Sequence, residues 1–183
     1  MRLLLIGPPA SGKGTQAAVI ADHYGIVHIS SGELLRQHIA EGTPTGRAAA
    51  DYVQRGDLVP DEVVMEILRE PVEAAGRKGG YVLDGFPRTV EQARAAGEWV
   101  RVAVYLEASL DVLIDRMRAR AHSAGRDDDT ESVMRHRIRE FEKVTPELLD
   151  HYERHATLLC IDGARSVDEV SATIISELDR VRE

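Results

Sequence analysis

Leu3-Leu4-Leu5-Ile6-Gly7-Pro8-Pro9-Ala10-Ser11-Gly12-Lys13-Gly14-Thr15 is the stretch that decides how this chain folds. Its apolar run, stopped by Gly-Pro-Pro, reads as a short strand buried on both faces, as in the middle of a parallel sheet. The glycines that follow let the backbone turn tightly enough for successive N–H groups to point at an anion. The helix expected over 12–23 adds the positive end of its dipole. Lys13 supplies a flexible point charge for β- and γ-phosphates. A chance Gly-rich turn between strand and helix is the ordinary alternative. Strand, loop, Gly-Lys and helix all in register weigh against it. Where such loops carry Ser or Thr directly after the lysine to ligate magnesium, this chain has Gly14, with Thr15 one place later. Magnesium would then lean on substrate phosphates and water, which suits an ion that dehydrates reluctantly.

The remaining composition sets bounds. A chain of 183 residues with 43% hydrophobic content is the size of one globular domain. Lys+Arg 23 against Asp+Glu 31 leaves a formal charge of −8, the wrong balance for a nucleic-acid binder that must neutralise backbone phosphates. Cys160 stands alone, so an intramolecular disulfide or a cysteine-cluster zinc site is excluded and a reducing, cytoplasmic setting is expected. No apolar run approaches the roughly 20 residues needed to span a bilayer, and Gly7-Pro8-Pro9 cuts the opening apolar run too short for a secretory leader. No membrane association is expected. Of the 23 basic residues only Lys13, Lys78 and Lys143 are lysines, and asparagine is absent. Genomic base composition explains the bias, and it still sharpens the meaning of the lysine at position 13.

Outward from the first strand, short strand-like runs alternate with longer helical periodicities. Strands are expected at 27–29, 81–83, 102–106 and 157–161. Helices are expected at 32–40, 46–55, 61–75, 110–121, 131–154 and 167–180. Repeated strand-then-helix order implies right-handed crossovers, hence an α/β fold: a five-stranded parallel sheet flanked by helices. Ligands in such sheets bind at the carboxyl ends of the strands. The second strand leads to Ser30-Ser31-Gly32-Glu33-Leu34-Leu35-Arg36, where a hydroxyl and an arginine could hold a small anion, although Ser-Ser-Gly is also an ordinary helix cap. The third leads to Asp84-Gly85-Phe86-Pro87-Arg88-Thr89, with Gln92 beyond. It places a carboxylate near the phosphate loop and a guanidinium fork beside it.

Taken together, Gly7–Thr15, Ser30–Arg36, Gly56-Asp57-Leu58-Val59-Pro60, Asp84–Arg88 with Gln92, and Gly125-Arg126-Asp127-Asp128-Asp129 resemble the adenylate kinase family, in order and spacing, over nearly the whole chain. The resemblance implies one P-loop kinase domain over 1–183, with a helical monophosphate-binding insertion at 30–59 and a short lid at 121–130. It implies transfer of a phosphoryl group from MgATP to AMP, giving two ADP. ATP would be held by Ala10, Ser11, Gly12, Lys13, Gly14 and Thr15, with Arg116, Arg120 and Arg165. AMP would be held by Ser31, Arg36, Asp57, Leu58, Val59, Gly85, Phe86, Pro87, Arg88 and Gln92, with Arg126 and Arg137. Lys13, Arg88, Arg120, Arg126 and Arg137 would carry the catalytic charge. Asp84 would organise magnesium through water, with no protein atom ligating the ion directly, and Asp128 and Asp129 would contribute to lid closure. A cis Phe86–Pro87 bond is also implied. The partners would be ATP, AMP and ADP, acting on a monomer, and the short lid is the form without zinc.

Departures from the family pattern are Ala10 for a frequent glycine, expected to cost little, and Asp57 where some relatives carry lysine. The stretch from Gln92 to the fourth strand is about ten residues shorter than usual. Arg118, Arg135 and Arg139 read as a solvated helix face, and so do His151 and His155. Cys160 reads as a small buried hydrophobe. Two other readings stay open: a kinase for UMP, CMP or another monophosphate, and a P-loop nucleotide-binding switch. A guanine-specific Asn-Lys-x-Asp segment is impossible in a chain without asparagine.

Overall fold

The computed structural model describes residues 1–121 and 131–182. The strands are β1 (Arg2–Ile6), β2 (Val27–Ser30), β3 (Tyr81–Asp84), β4 (Val102–Glu107) and β5 (Thr157–Asp162). They form one parallel sheet in the order β2-β3-β1-β4-β5, so β1 lies at its centre. Side chains alternate across β1 as a strand requires. Leu4 and Ile6 enter a core on one face, and Leu3 and Leu5 a core on the other.

Helices α1 (Lys13–Tyr24) and α8 (Val167–Arg182) cover the Leu3/Leu5 face. The other face is covered by α2 (Ser31–Ala40), α3 (Pro44–Arg55), α4 (Asp61–Arg77), α5 (Val90–Ala96) and α7 (Glu131–His155). Helix α6 (Leu110–Ala121) packs on α7 through Leu113 and Met117 against Met134 and Ile138. The start of α3 is set by Thr43, whose hydroxyl accepts from Gly46 N at 3.0 Å, with Pro44 in the first turn. The stretch after Gln92 holds a seven-residue α5 and a 3-10 turn over Gly97–Trp99. Tyr81 Oη anchors that turn by donating to Trp99 O at 2.8 Å.

Two expectations are corrected. Cys160 is exposed. Strand β5 is an edge strand with one neighbour, and the cores take in Leu158, Leu159 and Ile161 but not Cys160. Ala10 adopts φ +67°, a left-handed conformation that costs a residue with a Cβ roughly 1–2 kcal/mol. The methyl group here is therefore not cost-free. Among the described residues no helix is long and apolar enough to cross a membrane.

Candidate active site

Register brings the carboxyl ends of three strands together: Asp84 pairs with Leu5 on β1 and with Ser30 on β2. The loop after β1, the turn into α2 and the turn after β3 therefore open on one cleft of about 750 Å³.

Gly12 caps α1 with φ +98°, a conformation suited to glycine, and Ser11 N donates to Pro8 O at 3.1 Å. The loop curls so that the Lys13 ammonium donates to Gly7 O at 2.7 Å and Pro8 O at 2.9 Å. Confinement by surrounding protein pushes Lys13 down to about 8. Asp84 opposes that shift and Arg88 adds to it. Asp84 Oδ2 lies 3.6 Å from where a Cβ on Gly14 would stand, and 4.0 Å from His28 Nε2. The His28 nitrogen is buried and makes no hydrogen bond among the described residues. Arg116 spans the loop's outer side, donating from Nη1 to Ser11 O at 3.2 Å and from Nη2 to Arg165 O at 3.3 Å. Arg165 is held in turn by Asp162, Nε to Oδ2 at 3.2 Å.

Across the cleft stands a second group of cations. Ser30 caps α2 through Glu33 N, which leaves the buried Ser31 hydroxyl facing Gly85. Gly85 takes φ +84°, and a Cβ on it would fall 2.6 Å from Ser31 Oγ and 3.4 Å from Arg88 Nη2. Only glycine fits that juncture. The Phe86–Pro87 peptide is cis, as the family resemblance implied. Arg88 Nε donates to Gly85 O at 2.7 Å. Its side chain is exposed to the open cleft, beside the turn that carries it. Partial desolvation by the cleft walls lowers its pKa, and so do the nearby charges of Arg137 and then Arg36, against the pull of Asp84. Arg137 reaches this place from α7, donating from Nη2 to Val53 O at 3.1 Å at the end of α3. Three guanidiniums held this close, in mutual repulsion, suit a multiply charged anion.

Leu58 and Val59 supply an apolar wall beside this group, and Gln92 lies within reach of it. Gln92 is only 2% exposed, so it is no solvated helix residue. Asp57 lines the cleft but is bound elsewhere, accepting from Arg55 Nε and pairing with His136 Nε2, each at 2.9 Å. Those two partners hold its carboxyl below the usual range, Arg55 most strongly. Phe86 is buried behind the turn against Trp99, ring centroids 6.1 Å apart, and does not line the cleft, whereas Pro87 does. Arg126, Asp128 and Asp129 lie outside the described residues. Arg120 lies on α6, and its side chain is outside the description too. Arg135 pairs with Glu131 one turn back, and Arg139 is exposed, as befits a solvated face. His151 and His155 stack at 4.5 Å near the end of α7, away from the cleft.

Contacts that sequence reading missed include Asp57 with His136, Arg116 with the loop carbonyl of Ser11, and Gln92 with Asp61 (Nε2 to Oδ1, 2.7 Å). All three join residues far apart in sequence, separated by 79, 105 and 31 positions, and no local spacing announces them.

Comparison with known proteins agrees with this geometry. The family model described as Adenylate kinase matches residues 5–157. The chain is 43% identical to Adenylate kinase 1 of Nostoc sp. over 177 residues, covering 93% of this chain and 94% of that protein. It is 40% identical to Adenylate kinase of Bifidobacterium longum over 186 residues, 98% of this chain and 100% of the relative. The figures for Adenylate kinase of Kocuria rhizophila are 40% over 186 residues, with 98% and 99% covered. A two-sided cationic cleft at the carboxyl ends of a parallel sheet, and relatives matched end to end, place this chain in the adenylate kinase family.

Proposed function

We propose that this chain catalyses the reversible, magnesium-dependent transfer of the γ-phosphoryl group of ATP to AMP, giving two ADP, and that it works as a monomer in the cytoplasm. The observation that carries the reading is the pairing, in one cleft, of Lys13 in its backbone loop with the arginine group Arg36, Arg88 and Arg137. Simple hydrolysis of ATP needs only the first. A second strongly cationic site facing it supplies a place for a phosphorylated acceptor.

Phosphoryl transfer asks for positioning and charge stabilisation more than for covalent chemistry. The loop amides from Ala10 to Thr15 and the Lys13 ammonium hold the ATP phosphates. Arg116, bound to the loop carbonyl of Ser11, clamps the ATP phosphates, and Arg165 lies near the ATP adenine. Ser31, Arg36, Gly85, Arg88 and Arg137 hold the AMP phosphate, with Leu58 and Val59 against its base and Gln92 reading the adenine edge. A phosphate oxygen of AMP attacks the γ-phosphorus, and the bond to the β–γ bridging oxygen breaks. Lys13 and the arginines follow the moving negative charge. The segments 30–59 and 121–130 would serve as acceptor-binding insertion and short lid, with Arg126 on the lid and Arg120 just before it meeting the phosphates and closure excluding water.

The donor set beside the loop fits magnesium. One carboxylate, Asp84, stands next to the Gly14 end of the loop, and an ion that keeps several waters needs few protein ligands. When bound, the ion would neutralise phosphate charge; Asp84 would hold it through water, and Thr15 lines the same part of the cleft.

The test is ADP formation from ATP with each of AMP, GMP, CMP, UMP and dTMP. AMP should be preferred, and ATP should persist when no acceptor is supplied. Preference for UMP or CMP would replace the adenylate reading with the sister activity, and acceptor-independent ATP loss would point to a hydrolytic switch.

A further inference from the structure

Gln92 is held at both ends of its amide. Its Oε1 accepts from Arg88 N at 2.8 Å, and its Nε2 donates to Asp61 Oδ1 at 2.7 Å. These partners are opposite in kind: a peptide N–H can only donate and a carboxylate can only accept. Turning the amide over would set Nε2 against the N–H and Oε1 against the carboxylate, losing both bonds in a place where Gln92 is 2% exposed. One orientation is therefore fixed. In it one amide hydrogen and one lone pair of Oε1 remain for a ligand, and Gln92 borders the cleft while Asp61 stands outside its lining.

We infer that Asp61 is a specificity-determining positioning residue: by locking the amide orientation of Gln92 it makes the site accept adenine and reject 6-oxopurines. The inference rests on the proposed role of Gln92 as the adenine reader. Adenine offers an acceptor at N1 and a donor at its 6-amino group, which match the fixed N–H and C=O. Hypoxanthine and guanine offer the reverse, a donor at N1 and an acceptor at O6. They would meet donor against donor and acceptor against acceptor unless the amide turned over. A site whose buried polar groups are left unpaired by the wrong ligand discriminates more strongly than apolar fit can.

The rival role for Asp61 is local. It opens α4, where a carboxylate in the first turn favours the helix dipole. That role predicts equal loss with every acceptor.

The experiment compares AMP with inosine monophosphate, which differs from AMP only at the edge in question. In Asp61→Leu, the ratio of kcat/KM for AMP over inosine monophosphate should fall by about tenfold, the scale of a lost hydrogen bond to a charged group. The change should appear mainly in KM for AMP, with KM for ATP little altered. Asp61→Asn can turn its carbonyl oxygen to Gln92 and should keep most of the ratio. Asp61→Ala replaces the leucine variant if leucine is not accommodated. An unchanged ratio in Asp61→Leu or Asp61→Ala overturns the inference, and so does an Asp61→Asn variant that loses as much as they do. A wild-type enzyme without preference for AMP over inosine monophosphate would overturn the adenine-reading role of Gln92 itself, and the lock with it. A wild-type preference that survives loss of Asp61 removes the lock alone.

Discussion

Lys13 Nζ donates to the carbonyl of Gly7 at 2.7 Å, so the ammonium is held by the backbone of the same loop that presents it. Its place needs no partner side chain. Lys13→Met should therefore fold with little change in Tm. It should lose about 10²–10³ in kcat, the cost typical of removing one preorganised group that meets developing charge, with a smaller effect on KM for ATP. Steady-state kinetics beside a melting curve checks this, and near-wild-type turnover would refute the assignment.

The pKa of the same lysine gives a second expectation. Burial holds Lys13 at about 8, below its ordinary 10.5, so above pH 8 much of it is neutral. A triphosphate brought against it restores the charged form. ATP binding at a pH near 8.5 should consequently take up a proton, at most about one per site, and the uptake should fade below pH 7, where Lys13 is already charged. Titration calorimetry in buffers of different ionisation enthalpy reads the uptake directly. Its absence in wild type, or its survival in Lys13→Met, would contradict the expectation.

Gln92→Leu should act on AMP and on stability at once. Loss of the amide should weaken AMP use and narrow its lead over GMP and CMP, with KM for ATP nearly constant. It also strands Arg88 N and Asp61 Oδ1, the two groups Gln92 now serves. Both bonds are part-buried, so leaving their partners unmade should cost about 1 kcal/mol in unfolding free energy. Acceptor-panel kinetics and denaturant unfolding measure the two parts. An unchanged AMP preference would show that Gln92 only braces the turn.

Gly85→Ala should separate the two halves of the cleft. At φ +84° an added Cβ is strained, and it would fall 2.6 Å from Ser31 Oγ. Ser31 and Arg88 must give way, so KM for AMP should rise at least about tenfold, since misplacement by about 1 Å is enough to cost that much. KM for ATP should stay close to wild type. An equal loss for both nucleotides would mean that the turn after β3 also sets the ATP side.

How far the sequence could be read depended on the range of the interactions. The loop at 7–15 was legible because the apolar run, the glycines and the lysine lie within one strand–turn–helix. Asp84 followed from its place at the end of the next apolar run. The tie between Asp61 and Gln92 was hidden, because packing of α4 makes it across 31 residues. His136 was equally hidden: an ordinary polar position on a helix pattern gives no hint that it meets Asp57, 79 residues away. Cys160 was misjudged because a strand pattern tells which residues alternate, and says nothing of whether the strand lies at the sheet's edge. At Ala10 the sequence showed the departure from glycine but not the φ of +67° that makes it costly.

The central place of β1 has a mechanical consequence. Strands β3 and β4 flank it on either side, so the segment rooting the ATP loop is released only when the sheet comes apart, and its amides should be among the slowest to exchange. The acceptor side hangs differently. Helices α2 and α3 are threaded between β2, the outermost strand on that side, and α4, and no sheet ladder runs through them; what ties them down is side-chain packing, Leu35 and Ala49 among it. The molecule is thus built as a vice is, with one jaw cast into the frame and the other bolted to its edge.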